Sequence, residues 1–505
     1  MVLPESLALI PYPSSARRGE GALPLSERSR IVGEPAAAAL LREALSARTG
    51  FAFEEATAEA SVGDIILSID ASIGVAEAYS LNVTDRIEIV GADAAGLFYG
   101  VQTLRQLLAS SELGWVVQRV EIQDAPRFAY RGIMLDVARH FFSVADVKRY
   151  IDHASSLKYN HLHLHLTDDQ GWRIEIESWP LLTERGAGTS SLGDAGGFYS
   201  KADYRDIVEY AAERHMVLVP EIDLPGHTHA IGLAYPELVE APVMNDVLIA
   251  SSEKLGQSLP VAGEAYLGWG VGHSSVRIGE ERTYDFVRDV LSELAEMTPG
   301  PYLHIGGDES LGTTAEDFAA FVKRATEIAA ATGKTPMAWH EVGAVADIAE
   351  GTVGQYWGQL TPQGTHREEA EHFVARGGAL VMSPSDASYL DMKYFEGFPL
   401  GLNWAGYTNV QKAYEWEPTS IVGVPAEAIL GIEAPLWTES ARTFADVEQL
   451  VFPRAAAHAE IGWSPERAPE RAWESFRSRV AIVALDWDAR GINYFASEEI
   501  PWSTN

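Results

Sequence analysis

The chain has 505 residues, enough for two or three domains or for one large barrel with an attached domain. It contains no cysteine, which excludes disulfides and thiolate chemistry. Lys and Arg number 38 against 72 Asp and Glu, a formal charge of −34, and such a surface repels nucleic acid and anionic membranes.

The first apolar run, Leu7-Ala8-Leu9-Ile10, meets Pro11 and is too short for the core of a signal peptide. No later run approaches the length of a membrane span. A cytoplasmic protein is expected, with a secreted form lacking its leader as the alternative. Strand-like runs (Asp64–Ile69, Arg86–Val90) then mix with two helical patterns (Pro35–Ala47, Ala94–Leu108). They predict a small α+β accessory domain over 1–125 without clustered catalytic residue types, bounded by Asp124-Ala125-Pro126.

Beyond that boundary, short apolar runs alternate with amphipathic stretches, the pattern of repeated β–α units. Strands are predicted at Gly132–Leu135, Asn160–His165, Val217–Pro220, Tyr302–Ile305, Pro336–Trp339, Val353–Tyr356, Ala379–Met382 and Ile429–Ile432. Helices are predicted at Val144–Leu157, Lys201–Arg214, Arg282–Ala295 and Ala315–Ala331, among others. Eight such units close a (β/α)8 barrel, expected over 126–470. The expected fold is therefore α/β, a (β/α)8 TIM barrel preceded by a small α+β domain. Residues 471–505 are expected to form a C-terminal helix and tail packed on the barrel.

Tyr302-Leu-His-Ile-Gly-Gly-Asp-Glu-Ser310 carries the most chemistry. Successive side chains on a regular strand point to opposite faces, so Asp308 and Glu309 can serve one substrate only if the backbone leaves the strand before them. Gly306 and Gly307 permit that departure. Paired carboxylates at a strand end suit general acid–base work on a polar bond. A solvated Asp-Glu in a loop is the plainer alternative for any such pair. Here the other strand ends argue against it, because catalytic residues of a barrel collect just past them. Asp136 and Arg139 follow the first strand; Thr167-Asp168-Asp169-Gln-Gly-Trp172 follows the second; Glu221-Ile-Asp223-Leu-Pro-Gly-His227-Thr-His229 follows the third. Trp339, Trp357 and Trp437 end the fifth, sixth and eighth, with Glu439 two residues on, and Tyr389-Leu-Asp391 follows the seventh.

This combination resembles family 20 of the glycoside hydrolases, the β-N-acetylhexosaminidases. The resemblance covers most of 124–463 and rests on five ordered segments, 130–141, 163–173, 220–227, 304–309 and 436–439. The region before it resembles the family's accessory domain more loosely, mainly through Gly91–Leu108. It implies an exo-acting, retaining enzyme that releases terminal β-linked N-acetylglucosamine or N-acetylgalactosamine. In that family the substrate's own acetamido oxygen attacks the anomeric carbon, an exception to the usual two-carboxylate scheme. By resemblance, Glu309 is the general acid and Asp308 the carboxylate that orients and stabilises the acetamido group. Tyr389 is implied to bond the acetamido carbonyl, and Trp339, Trp357 and Trp437 to enclose the acetamido methyl and the sugar face. Arg139 and Glu439 are implied to grip hydroxyls as a fork, with Asp391 a further hydroxyl ligand and Trp404 a platform beside the leaving group. Asp168 and His227 are implied to stand behind Glu309 and tune it. Neither cofactor nor metal is implied, and the expected partner is an oligosaccharide or glycoconjugate, not nucleic acid or membrane.

Two other readings compete. His161, His163 and His165 alternate on one strand face and could serve a metal-dependent barrel hydrolase, with His227 and His229 as further ligands. A sugar-binding protein without turnover is the other, although binding alone does not need the pair at 308–309.

Overall fold

A computed structural model describes residues 7–55, 61–112 and 114–502. They divide into two compact units. One runs to Arg131 and adds Asp152–Tyr159 and the segment from Phe452 on; the other holds Gly132–Ile151 and Asn160–Val451.

The first unit is built on a mixed sheet that includes strands Ser15–Pro24, Arg30–Gly33, Ile65–Ile69, Tyr79–Val83, Ile87–Gly91 and Gly114–Asp124. Ile65 and Leu67, Leu81 and Val83, and Ile87 and Ile89 are buried, as period-two alternation dictates for a sheet with one face on a core. That core also holds Leu41 and Leu45 of helix Pro35–Thr49 and Leu97, Val101 and Leu104 of helix Ala94–Leu107. Asp93 caps the second helix, accepting the Gly96 N–H at 2.7 Å. The C-terminal helix, Trp473–Ala489, belongs to this unit. Inside the unit, Arg479 spans both oxygens of Glu460 at 2.6 Å and donates to the Leu9 carbonyl, and Arg48 pairs with Asp486.

The second unit is the expected barrel. Its strands are β1 (Tyr130–Asp136), β2 (His161–His165), β3 (Val217–Glu221), β4 (Tyr302–His304), β5 (Thr335–Trp339), β6 (Val353–Tyr356), β7 (Leu380–Met382) and β8 (Ile429–Ala434). They are ordered as in the chain and close on themselves, β8 beside β1. The strands are short and almost wholly buried, as expected where helices cover the outside and side chains fill the inside. Helices Glu281–Met297 and Ala315–Ala331 flank β4, and each buries an apolar stripe, Phe286, Val287, Val290, Leu291 and Leu294 on the first. All eight strands lie within one or two residues of the positions read from the sequence.

Candidate active site

The catalytic candidates meet where β4 ends. Gly306 and Gly307 have φ of +69° and +106°. A Cβ on Gly306 would lie 1.7 Å from Asp223 Oδ1, and one on Gly307 2.4 Å from Val342 Cγ2, so no side chain fits at either position. The Gly307 N–H is held by Asp223 Oδ1 at 3.1 Å. This turn carries Asp308 and then Glu309, whose own φ is +47°. Both carboxylates thereby reach His227, whose Nε2 lies 3.9 Å from Asp308 Oδ2 and 3.6 Å from Glu309 Oε2.

Behind His227 runs a chain of paired charges. Its Nδ1 lies 3.2 Å from Asp168 Oδ1. Asp168 Oδ2 takes Arg139 Nη2 at 2.8 Å and His165 Nε2 at 2.9 Å. His165 passes through Nδ1 to Glu221, whose oxygens also face His163 Nε2 at 3.1 Å, His304 Nδ1 at 3.0 Å and the indole N–H of Trp339 at 2.8 Å. His163 Nδ1 then meets Glu433 Oε1 at 2.9 Å. Burial disfavours every one of these charges, and alternating signs offset that cost. Burial alone would lower His165 and His163, yet the flanking carboxylates push both up to about 10. His227 is likewise held well above its ordinary value by Asp168, Asp223 and Asp308 against burial. Asp168 is held well below its own, with Arg139 and His227 outweighing burial.

Glu309 behaves differently. Burial raises it, His227 and Arg139 pull it down, Asp308 and Asp168 push it up, and it settles at about 7. Its side chain is still 33% exposed, so a partly desolvated carboxyl faces the pocket with its proton near neutral pH.

Aromatic rings line the space in front of the acids. Tyr389 stands 6.3 Å from Trp437 and 5.9 Å from Trp404 between ring centroids, and Trp404 stands 5.9 Å from Trp357. Trp404 is 53% exposed at the rim. Arg139 lies 4.9 Å over the Trp437 ring. Glu439 and Asp391 are both buried. Burial lifts the Glu439 carboxyl while Arg139 opposes the shift. Trp339 packs with these rings: it is fully buried, 5.9 Å from Trp437 and in one apolar cluster with Tyr389 and Trp437, with its N–H on Glu221.

The family model "Glycosyl hydrolase family 20, catalytic domain" matches residues 128–315 and 310–466, and "Glycosyl hydrolase family 20, domain 2" matches 6–125. The chain belongs to glycosyl hydrolase family 20. A β-N-acetylhexosaminidase of Cellulomonas fimi is 40% identical over 432 residues, 84% of this chain and 82% of the relative. A solved family 20 β-N-acetylglucosaminidase is 52% identical with a TM-score of 0.92, covering 99% of this chain and 100% of that one. The N-acetyl-β-hexosaminidase of Streptomyces plicatus, solved with Thio-NAglucal, is 41% identical with a TM-score of 0.90, covering 100% of this chain and 99% of its own.

The structure of this family 20 hydrolase also bears on the histidine run. His161 bonds Asn160 at 2.7 Å and packs on Tyr302, away from its two neighbours' network. His163, Glu221 and His304 do bring ligand atoms within 4.8 Å of one another, as do His227, Asp308 and Glu309. Both ring nitrogens of His163 face carboxylates, Glu433 and Glu221, as do those of His165, Glu221 and Asp168. Two acids in this region escaped the sequence reading as site residues. Glu221 sits in the segment matched for its neighbours, and its role as hub depends on partners up to 118 residues away. Glu341, two residues past Trp339, accepts the Trp357 indole N–H at 2.8 Å. Its only sequence signal was that position just beyond a barrel strand.

Proposed function

We propose that this family 20 hydrolase removes terminal, non-reducing β-linked N-acetylhexosamine with retention at the anomeric carbon, using the substrate's acetamido group as nucleophile. The observation that carries the reading is the pair at 308–309, turned into one pocket, one acid near pH 7 and the other beside an aromatic enclosure. The acetamido oxygen bonds to the anomeric carbon as the glycosidic C–O bond breaks. Glu309 gives its proton to the departing oxygen. Positive charge then develops on the acetamido nitrogen, and the Asp308 carboxylate stabilises it where water is largely excluded. Water next adds to the anomeric carbon, returns a proton to Glu309 and reopens the ring. Two inversions restore the starting configuration. Tyr389 holds the acetamido carbonyl, and Trp339, Trp357 and Trp437 enclose its methyl and the sugar face. Arg139, Glu439 and Asp391 bond the sugar hydroxyls, and Trp404 faces the leaving group. Asp168 and His227 set the position and acidity of Glu309.

NMR of the first product formed from an aryl N-acetyl-β-glucosaminide tests the reading. The β anomer is expected. A first-formed α anomer, or equal activity on a plain β-glucoside, overturns it.

A further inference from the structure

Glu341 accepts the Trp357 indole N–H at 2.8 Å and faces His340 Nδ1 at 3.5 Å. It lies in the single turn His340–Ala344 that follows β5, while Trp357 follows β6, so their hydrogen bond ties two strand ends together. The turn has little freedom. Val342 would clash with any side chain at Gly307, and a Cβ on Gly343 would lie 2.0 Å from the Glu369 carbonyl. The His372 ring also reaches the Gly343 carbonyl at 2.9 Å. The acceptor offered to Trp357 is therefore fixed in space.

We propose that Glu341 is a positioning residue for the acetamido pocket: by holding the Trp357 indole N–H, it fixes the wall that measures the length of the substrate's N-acyl group. The inference rests on the N-acetylhexosaminidase reading above. An indole N–H is a donor only and needs an acceptor where it is shielded from water. Without one, packing holds Trp357: Trp404 at 5.9 Å and His340 at 5.4 Å edge-on, His366 tilted at 6.4 Å, and the apolar cluster of Trp339, Tyr389 and Trp437. The hydrogen bond adds a direction that packing lacks. The Glu341 side chain is 27% exposed, so the bond borders the pocket rather than lying deep in the core. Burial first, then the Asp308 and Glu309 charges, lift the Glu341 carboxyl well above its usual range.

The test measures kcat/KM of the full-length enzyme on aryl glycosides of N-acetyl- and N-propionyl-β-glucosamine. Wild type should prefer the acetyl compound. Glu341→Ala should shrink that preference about fivefold or more, the scale of one lost hydrogen bond. Glu341→Gln, which keeps an oxygen acceptor, should retain it. Trp357→Phe, which keeps a ring but loses the N–H, should shrink it as Glu341→Ala does, and serves if the alanine variant does not fold. A folded Glu341→Ala, or in its place Trp357→Phe, that loses activity equally on both compounds overturns the inference, since a merely structural role predicts that result. Failure of wild type on the N-acetyl compound would instead overturn the activity itself.

Discussion

His227 and Glu309 face each other at 3.6 Å, and both hold left-handed backbone, with φ of +56° and +47°. Such conformations cost of order 1–3 kcal/mol each in residues with side chains and persist only where neighbours over-determine them. Here Asp168 fixes the imidazole, and the Gly306–Gly307 turn, held by Asp223, fixes the acid. The strain is placed where a cation meets a proton donor.

That pairing predicts the pH profile. Glu309 must carry a proton to act, and its carboxyl sits at about 7. Turnover of a substrate with a poor leaving group should fall as pH rises through about 7. The His227 charge pulls Glu309 down, so His227→Asn should move this alkaline limb to higher pH while lowering the maximum rate. A profile of kcat against pH reads both effects. An unmoved limb would mean that His227 does not set the acidity of Glu309.

Glu309→Gln keeps the shape and removes the proton. General acid catalysis contributes about 10²–10⁴-fold, and a loss of that order is expected on a chitin disaccharide. An activated aryl leaving group departs without protonation, so the loss there should be much smaller. Equal losses on the two substrates would count against Glu309 as the acid.

Asp308→Asn should lower kcat chiefly, because the charge it stabilises grows only toward the transition state. Loss of a ground-state contact would raise KM instead. Excess chelator should leave the wild-type rate unchanged, since the Glu221 oxygens already face three imidazoles and an indole. Loss of activity in chelator, restored by a divalent cation, would revive a metal at His163, Glu221 and His304.

The barrel was legible in the sequence because each strand is a short apolar run ending at a polar or aromatic residue, and that pattern depends only on neighbours. The turn at Gly306–Gly307 was legible for the same reason. What stayed hidden depends on residues distant in sequence. Glu221 meets Trp339, 118 residues on, and Glu341 differs from a solvated acid only through Trp357.

Arg139 is tied into the pocket by more than the proposed hydroxyl fork requires. Its Nη2 bonds Asp168 at 2.8 Å and its Nη1 lies 3.6 Å from Asp136, while its Nε and Glu439 Oε2 have no hydrogen-bond partner among the described residues. Those two atoms are a donor and an acceptor suited to sugar hydroxyls. Arg139→Ala therefore removes a substrate contact and also leaves Asp168 short of a cation. A buried group left unpaired costs about 1–3 kcal/mol, more when charged, so kcat/KM should fall at least tenfold on intact chains. Loss of a hydroxyl contact alone would leave the alkaline limb in place. Because Asp168 holds His227, Arg139→Ala should shift that limb as well. Time courses of the wild type on a chitin oligomer should show single sugars released from one end. Early internal fragments would mean a cleft open past Arg139, and its role at the closed end of the pocket would fail with that result.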